Sequence, residues 1–180
     1  MPSITKLPIT ITQTSGGKYQ TFNHPNRIRY HDNNAATCHV GGKNATLNRP
    51  STLTCTKFQT GLPTGAEVTQ VTVRLKHSKS PYNSKDCNVQ APTISLIDNN
   101  GKVLKSRKAQ APTNTPTENS VLFNFNVAYI HYNVINSNNF GVKVDYPANS
   151  NDNEGDINVY YIEIHVAYKL SKYSLKLNHI

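Results

Sequence analysis

Residues 157–169, INVYYIEIHVAYK, constrain the chain most, because their side chains alternate in character along the whole stretch. Neighbouring side chains of a strand point to opposite faces, so this alternation predicts one long, half-buried strand. Tyr160, Ile162, Ile164, Val166 and Tyr168 fall on one face, led in by Asn158; Ile157, Val159, Tyr161, Glu163, His165 and Ala167 fall on the other. β-Branched and aromatic residues dominate, which suits a pleated surface. Residues 140–146 repeat the logic, with Phe140, Val142, Val144 and Tyr146 opposite Gly141, Lys143 and Asp145. The polar segment PANSNDNEGD joins the two, and the expected arrangement is an antiparallel hairpin.

The rest of the chain repeats short strands and turns. Ile9 and Ile11 alternate with Thr10 and Thr12, which predicts a short strand, before Gly16-Gly17 breaks the pattern. Residues 1–32 read as an arm that either docks on a neighbouring subunit or stays disordered. Residues 33–50 read as loop; Leu53 and Cys55 mark a strand; 61–65 mark a turn. In the strand expected at 66–76, Val71, Val73 and Leu75 share a face but Val68 is out of phase. One extra residue near Thr69-Gln70, a β-bulge, reconciles them. Residues 77–91 read as a polar loop. Residues 93–98 and 102–105 flank Asn99-Asn100-Gly101, a hairpin signal. Pro112 and Pro116 argue against a central strand over 106–119, whereas Val121, Phe123, Phe125 and Val127 alternate cleanly. A short helical turn is expected near 134–137, and the segment after Lys169 fits strand or helix equally.

About eight short strands with turn signals predict an all-β chain, a jelly-roll-type antiparallel β-sandwich with an N-terminal arm. An immunoglobulin-like sandwich is the alternative, weakened by the absence of Trp and of Cys–Trp–Cys spacing. The expected division is 1–48 arm and loop, 49–169 sandwich, and 170–180 tail.

Charge is unevenly spread. The formal net charge is +9 over 180 residues. Up to Gln110 there are 15 Lys and Arg against 4 acids; from Ala111 onward there are 4 against 6. A basic half suggests an anionic neighbour, although a solvated basic surface explains the same count. No apolar run is long enough for a membrane span, and no membrane insertion is expected. Cys38, Cys55 and Cys87 form no disulfide framework; a Cys38–Cys55 bridge or three free thiols fit, the latter in a cytosolic setting.

Two segments resemble a β-sandwich module of tailed-phage and archaeal-virus virion structural proteins and microbial surface proteins. The first is FQTGLPTGAEVTQVTVRL, similar to that module's Pro-x-Gly-Ala segment and Val strand, here Pro63, Gly65, Ala66, Val68, Val71 and Val73. The second is INSNNFGVKV followed by INVYYIEIHVAY, similar to its Asn-Phe-Gly-Val strand and closing Tyr-rich strand; SLIDNNGKV stands at its middle hairpin. The likeness spans about residues 52–168 and lacks the Trp-containing segment, where VAYIHYNVINSNNF stands instead. It implies a non-enzymatic structural or adhesion module and transfers no catalytic residue.

Candidate chemistry is sparse. Cys38, His39, Cys55 and Cys87 carry zinc-ligand chemistry without paired spacing. Cys38, His39 and Asp32 supply the residue types of a cysteine hydrolase with no motif around them. Asn151, Asp152, Asn153 and Asp156 offer oxygens for calcium but not the usual loop spacing, so a solvated connection is the simpler reading and no metal is assigned. Glu163 and His165 share a strand face and suit a surface or interface ladder, with Asp145 as neighbour, better than an acid–base pair. Arg74, Lys76, Arg107 and Lys108, with Tyr82, Tyr129 and Tyr132, are the candidate binding residues. The cations suit an acidic surface; the tyrosines suit stacking on a sugar. Nucleic acid is not favoured, for want of a recognition motif.

The expected function is therefore that of a virion structural protein (tail, fibre or head-decoration subunit) acting by protein–protein assembly, with other virion proteins as partners and homo-oligomers formed. A carbohydrate- or receptor-binding module on a virion or cell surface, taking a cell-surface glycan, is the alternative. No cofactor is called for. MPSITKLPITIT lacks the apolar core of a secretory signal, so synthesis in a host cytoplasm and a place in the virion are expected, with an extracellular surface as the alternative.

Overall fold

The computed structural model describes residues 1–14, 19–41, 49–81, 87–125, 130–148 and 154–170. Among these, the strands of the first half are β1 (Ser3–Lys6), β2 (Thr10–Gln13), β3 (Tyr19–Gln20), β4 (Ala36–Val40), β5 (Arg49–Pro50), β6 (Leu53–Thr56) and β7 (Ala66–Pro81). The second half adds β8 (Thr93–Ile97), β9 (Val103–Lys108), β10 (Thr117–Asn124), β11 (Ile130–His131), β12 (Gly141–Asp145) and β13 (Gly155–Leu170). A 3-10 turn covers Pro25–Arg29 and the helix α1 covers Tyr132–Asn136.

The strands build an antiparallel β-sandwich of jelly-roll type. One sheet runs β1-β13-β7-β10, with β4 also on β13 and β11 also on β7; the facing sheet runs β2-β6-β12-β8-β9. A small parallel pair, β3 and β5, stands apart. The core lies between the two main sheets. Ile162, Ile164 and Val166 of β13, opposite Leu75, Val73 and Val71 of β7, are fully buried, as are Val142 and Val144 of β12 and Ile94 and Leu96 of β8. Burying one such aliphatic side chain contributes about 1.5–3 kcal/mol, so these rows dominate the fold.

The expected hairpin of 140–146 with 157–169 does not form. β12 pairs with β6 and β8 in one sheet, while β13 pairs with β7, β4 and β1 in the other. Alternation specifies which side chains face inward; it does not choose between edge-to-edge pairing and face-to-face packing. Asp145 therefore sits away from Glu163 and His165, bonded instead to Thr52 (3.0 Å) and Arg49 (3.3 Å).

Two bulges set the phase of the long pair. Thr69 is the extra residue opposite Ala167 and Tyr168, in the place the sequence predicts. A second bulge, at Tyr160, lies between the pairs Val159–His77 and Tyr161–Lys76. It lets Ile157 and Val159 share the core with Ile162 and Ile164, so the two faces read from strict alternation exchange at this point.

Three segments read as arm or loop are strands. β4 lies within 33–50, and its Ala36, Cys38 and Val40 point into the core. β7 continues past Lys76 to Pro81, with His77 wholly buried. Within 1–48, β2 is the short strand expected around Ile9 and Ile11; β1 pairs with β13 and β2 with β6, so this chain's own sandwich takes both strands. The hairpin of β8 and β9 forms as expected; Asp98 Oδ1 accepts from the backbone N–H groups of Asn100 (2.8 Å) and Lys102 (2.9 Å), and Gly101 takes φ 78°. Val127 and the tail after Leu170 lie outside the described residues.

Candidate functional site: the open flank of the sandwich

Each sheet ends in one strand of the consecutive pair β9 and β10. β9 closes the facing sheet and β10 closes the sheet of β13, so both free edges lie on the same flank. Between them is a cleft of about 400 Å³ lined by Arg107, Lys108 and Gln110 from one side and Glu118, Asn119 and Ser120 from the other. Pro112 and Pro116 sit in the connection, where the chain leaves one sheet for the other and no ladder bond is needed.

Arg107 and Lys108 are exposed, and no carboxylate among the described residues forms an ion pair with either. Lys105 on the same strand lies 4.6 Å from the Phe125 ring centroid. Charged edges resist pairing with a second edge.

The wall on β10 is held from beneath. Asn119 is 6% exposed, and its Nδ2 donates to Nε2 of His77 at 2.8 Å. The remaining ring nitrogen of His77 meets Tyr146 Oη at 2.7 Å. Burial pushes the His77 pKa down to about 4, so the ring is neutral at pH 7, and its partners assign the proton to Nδ1.

Glu118 joins the cleft to the outer face of the β13 sheet, because it stands beside Lys76 and accepts a hydrogen bond from the Tyr161 hydroxyl. Lys76 Nζ lies 5.6 Å from the Tyr160 ring and 6.0 Å from the Tyr161 ring. The bulge puts both tyrosines within reach of this one cation. His31 stacks on Tyr161 with centroids 4.1 Å apart, and its Nε2 meets Glu163 at 2.9 Å. Arg74 reaches the other oxygen of Glu163 at 3.0 Å. Glu163 is 5% exposed and Tyr161 8%, although both lie on an outward face, because the segment after the 3-10 turn covers them. Burial, then the hydrogen bond to Glu118, raises the Tyr161 pKa and keeps the phenol protonated.

Of the candidate binding residues, Arg107 and Lys108 share the cleft, whereas Arg74 and Lys76 belong to the outer face. Tyr132 opens α1 beside His131, with ring centroids 4.4 Å apart. Tyr82 and Tyr129 lie outside the described residues, as do Asn151, Asp152 and Asn153. Asp156 is engaged by His39 Nδ1 at 2.8 Å, and Glu154 takes the other ring nitrogen at 3.1 Å. His165 Nδ1 meets Thr5 Oγ1 at 2.9 Å. The three cysteines are buried, and burial pushes the Cys38 thiol up to about 12, the opposite of what a nucleophile needs.

Asn119, Glu118 and His77 were not singled out by sequence pattern. The signal is a polar residue that continues an apolar face: Asn119 precedes Val121 and Phe123 in phase, and His77 follows Val73 and Leu75.

No protein-family model matches the chain, and no curated protein does. Solved structures share its fold distantly. A carbohydrate-binding module, CBM4, is 13% identical over 74% of this chain and 84% of its own, with a TM-score of 0.44. The CBM22-1 xylan-binding domain of Paenibacillus barcinonensis Xyn10C is 9% identical over 91% and 92%, with a TM-score of 0.44. A protein of the infectious bursal disease virus Gt strain is 15% identical over 92% of this chain, which spans 32% of that one, with a TM-score of 0.36.

Proposed function

We propose that this chain is a non-enzymatic structural subunit of a virion, of the tail, fibre or head-decoration kind, that contacts its partner through the open flank. The observation that carries the reading is the pair of free sheet edges on one side of the sandwich, with Arg107 and Lys108 between them, neither in an ion pair among the described residues. Cations held on rigid strands steer an acidic surface into register, and their complementarity sets association rate and specificity. The virion setting rests on the resemblance carried by Pro63–Val73 and by the Asn-Phe-Gly-Val and Tyr-rich strands.

Sedimentation of the purified chain at low and high salt tests this reading, alongside the double variant Arg107→Glu, Lys108→Glu. Salt-sensitive association that the double variant loses supports assembly through the flank. A monomer under every condition removes self-assembly as the chain's action.

A glycan-binding module is the second reading. It is favoured by the size and polar lining of the cleft, which suit a small hydroxylated ligand better than a protein side chain. A glycan array on which a self-assembling chain retains no sugar would remove it.

A further inference from the structure

The cleft sets two cations on one side and a carboxylate and an amide on the other, and this arrangement narrows its ligand. Arg107 and Lys108 line the β9 side. Glu118 and Asn119 line the β10 side. Asn119 Nδ2 is committed to His77 inside the sandwich. Among the described residues Asn119 Oδ1 takes no hydrogen bond, and it is not among the buried polar atoms left without a partner, of which Arg29 Nε is the only one. Asn119 lines the cleft, and this oxygen is the side-chain acceptor it has left to offer there.

We propose that the cleft binds an acidic saccharide, a carboxylated sugar unit of a surface polysaccharide. Its carboxylate pairs with Arg107 and Lys108, and its ring hydroxyls donate to Asn119 Oδ1 and to the Glu118 carboxylate. A guanidinium is built for planar, two-point recognition of a carboxylate. An anion without hydroxyls can pair with the two cations but leaves Glu118 and Asn119 without donors. A neutral sugar fits poorly for the opposite reason, because it leaves the two cations unmatched. The cleft volume of about 400 Å³ suits one small unit and its immediate neighbours. The inference rests on the flank being the binding surface proposed above.

Titration calorimetry of the full chain at low salt tests it with three probes: trigalacturonate, its methyl ester, and poly-L-glutamate. The expected result is binding of trigalacturonate, weaker by about tenfold or more for the methyl ester and for Arg107→Gln. Glu118→Gln decides between the ligand classes by sign. It keeps the shape and the acceptor for Tyr161 but removes the charge. For a hydroxylated acidic sugar it weakens binding, by about threefold to tenfold; for a plain anion site it strengthens binding by relieving repulsion. Both substituted side chains are exposed, so unchanged melting temperatures serve as the folding control. Poly-L-glutamate bound as tightly as trigalacturonate, with Glu118→Gln tightening both, overturns the saccharide assignment and leaves the flank as a contact surface. No binding of either anionic probe overturns the saccharide assignment, whereas the flank reading is overturned separately, by sedimentation that neither salt nor Arg107→Glu, Lys108→Glu alters.

Discussion

His77 Nδ1 and Tyr146 Oη meet at 2.7 Å in the interior, His77 from β7 and Tyr146 from the residue that follows β12, so one hydrogen bond ties the two sheets together. Neither side chain reaches solvent. Asn119 completes the chain of bonds to the flank, and the buried polar groups satisfy one another.

This network makes stability depend on pH in a defined direction. His77 titrates near 6.5 when unfolded and at about 4 when folded. Between these values the unfolded chain binds more protons, so stability falls as pH falls from 6.5 to 4. The shift corresponds to about 3 kcal/mol, all of it present above pH 6.5 and lost below pH 4. Urea midpoints at pH 7, 5.5 and 4 measure the slope. His77→Gln is less stable at pH 7 but flatter with pH; a variant that keeps the full slope places the titrating group elsewhere.

His39 acts with the opposite sign. Burial alone would lower its pKa, but the hydrogen bonds and charges of Asp156 and Glu154 outweigh burial and raise it. A raised histidine pKa gives stability that is fully present below 6.5 and is lost as pH rises through the folded value. The His39 ring resonances should therefore titrate above the ordinary histidine range, and Asp156→Asn should bring the midpoint down. A midpoint unmoved by Asp156→Asn would falsify the pairing.

Arg74 and Glu163 should respond unequally to removal. Glu163 is buried, whereas the Arg74 side chain is 38% exposed. Arg74→Ala leaves a buried carboxylate with His31 as its remaining partner among the described residues, at about 2–3 kcal/mol; Glu163→Gln frees an arginine that water can solvate and keeps an acceptor, at about 1 kcal/mol. Equal losses in denaturant melts would show that the sheet face opens freely to water.

How much of this was legible follows from where each partner lies. The Thr69 bulge was readable because Val68 and Val71 conflict within four residues. The Tyr160 bulge was not, because Tyr160 and Ile162 keep perfect alternation and only the pairing with β7 shows that the core face has changed. β4 was hidden by small residues, Ala36 and Cys38, between Asn and Gly turn signals. The extension of β7 was hidden because HSKSP is polar; His77 is tolerated inside only through Tyr146 and Asn119, 69 and 42 residues away. Of the candidate site, sequence gave the cations Arg107 and Lys108 by charge alone. The carboxylate, the amide and the cleft itself arise from two edges meeting, which no local pattern encodes.

Gly141 lies in the middle strand of its sheet, where a side chain has no room. A Cβ there would stand 2.6 Å from the Cys55 carbonyl oxygen and 2.9 Å from Thr56 Cγ2. The oxygen belongs to the paired backbone of β6 and cannot swing aside. Gly141→Ala should lower stability by about 1–3 kcal/mol, the usual range for overpacking. Unchanged urea midpoints would mean that β6 and β12 part more easily than their register implies.

The pairing of β1 with β13 changes what removal of residues 1–6 means. Ile4 stands opposite Val166, Thr5 Oγ1 meets His165, and the Pro2 carbonyl accepts from the Tyr168 N–H at 3.1 Å. Deleting residues 1–6 strips the edge of β13 along Ile164–Ala167, leaving backbone donors and acceptors open on a long apolar strand. The lost bonds contribute about 0.5–1.5 kcal/mol each, so the urea midpoint should fall, and sedimentation should show new high-mass species rather than a clean monomer. A truncated chain that keeps its midpoint and stays monomeric would mean that β1 is dispensable to its own sandwich, and the segment would then be free to act as an arm on a neighbour.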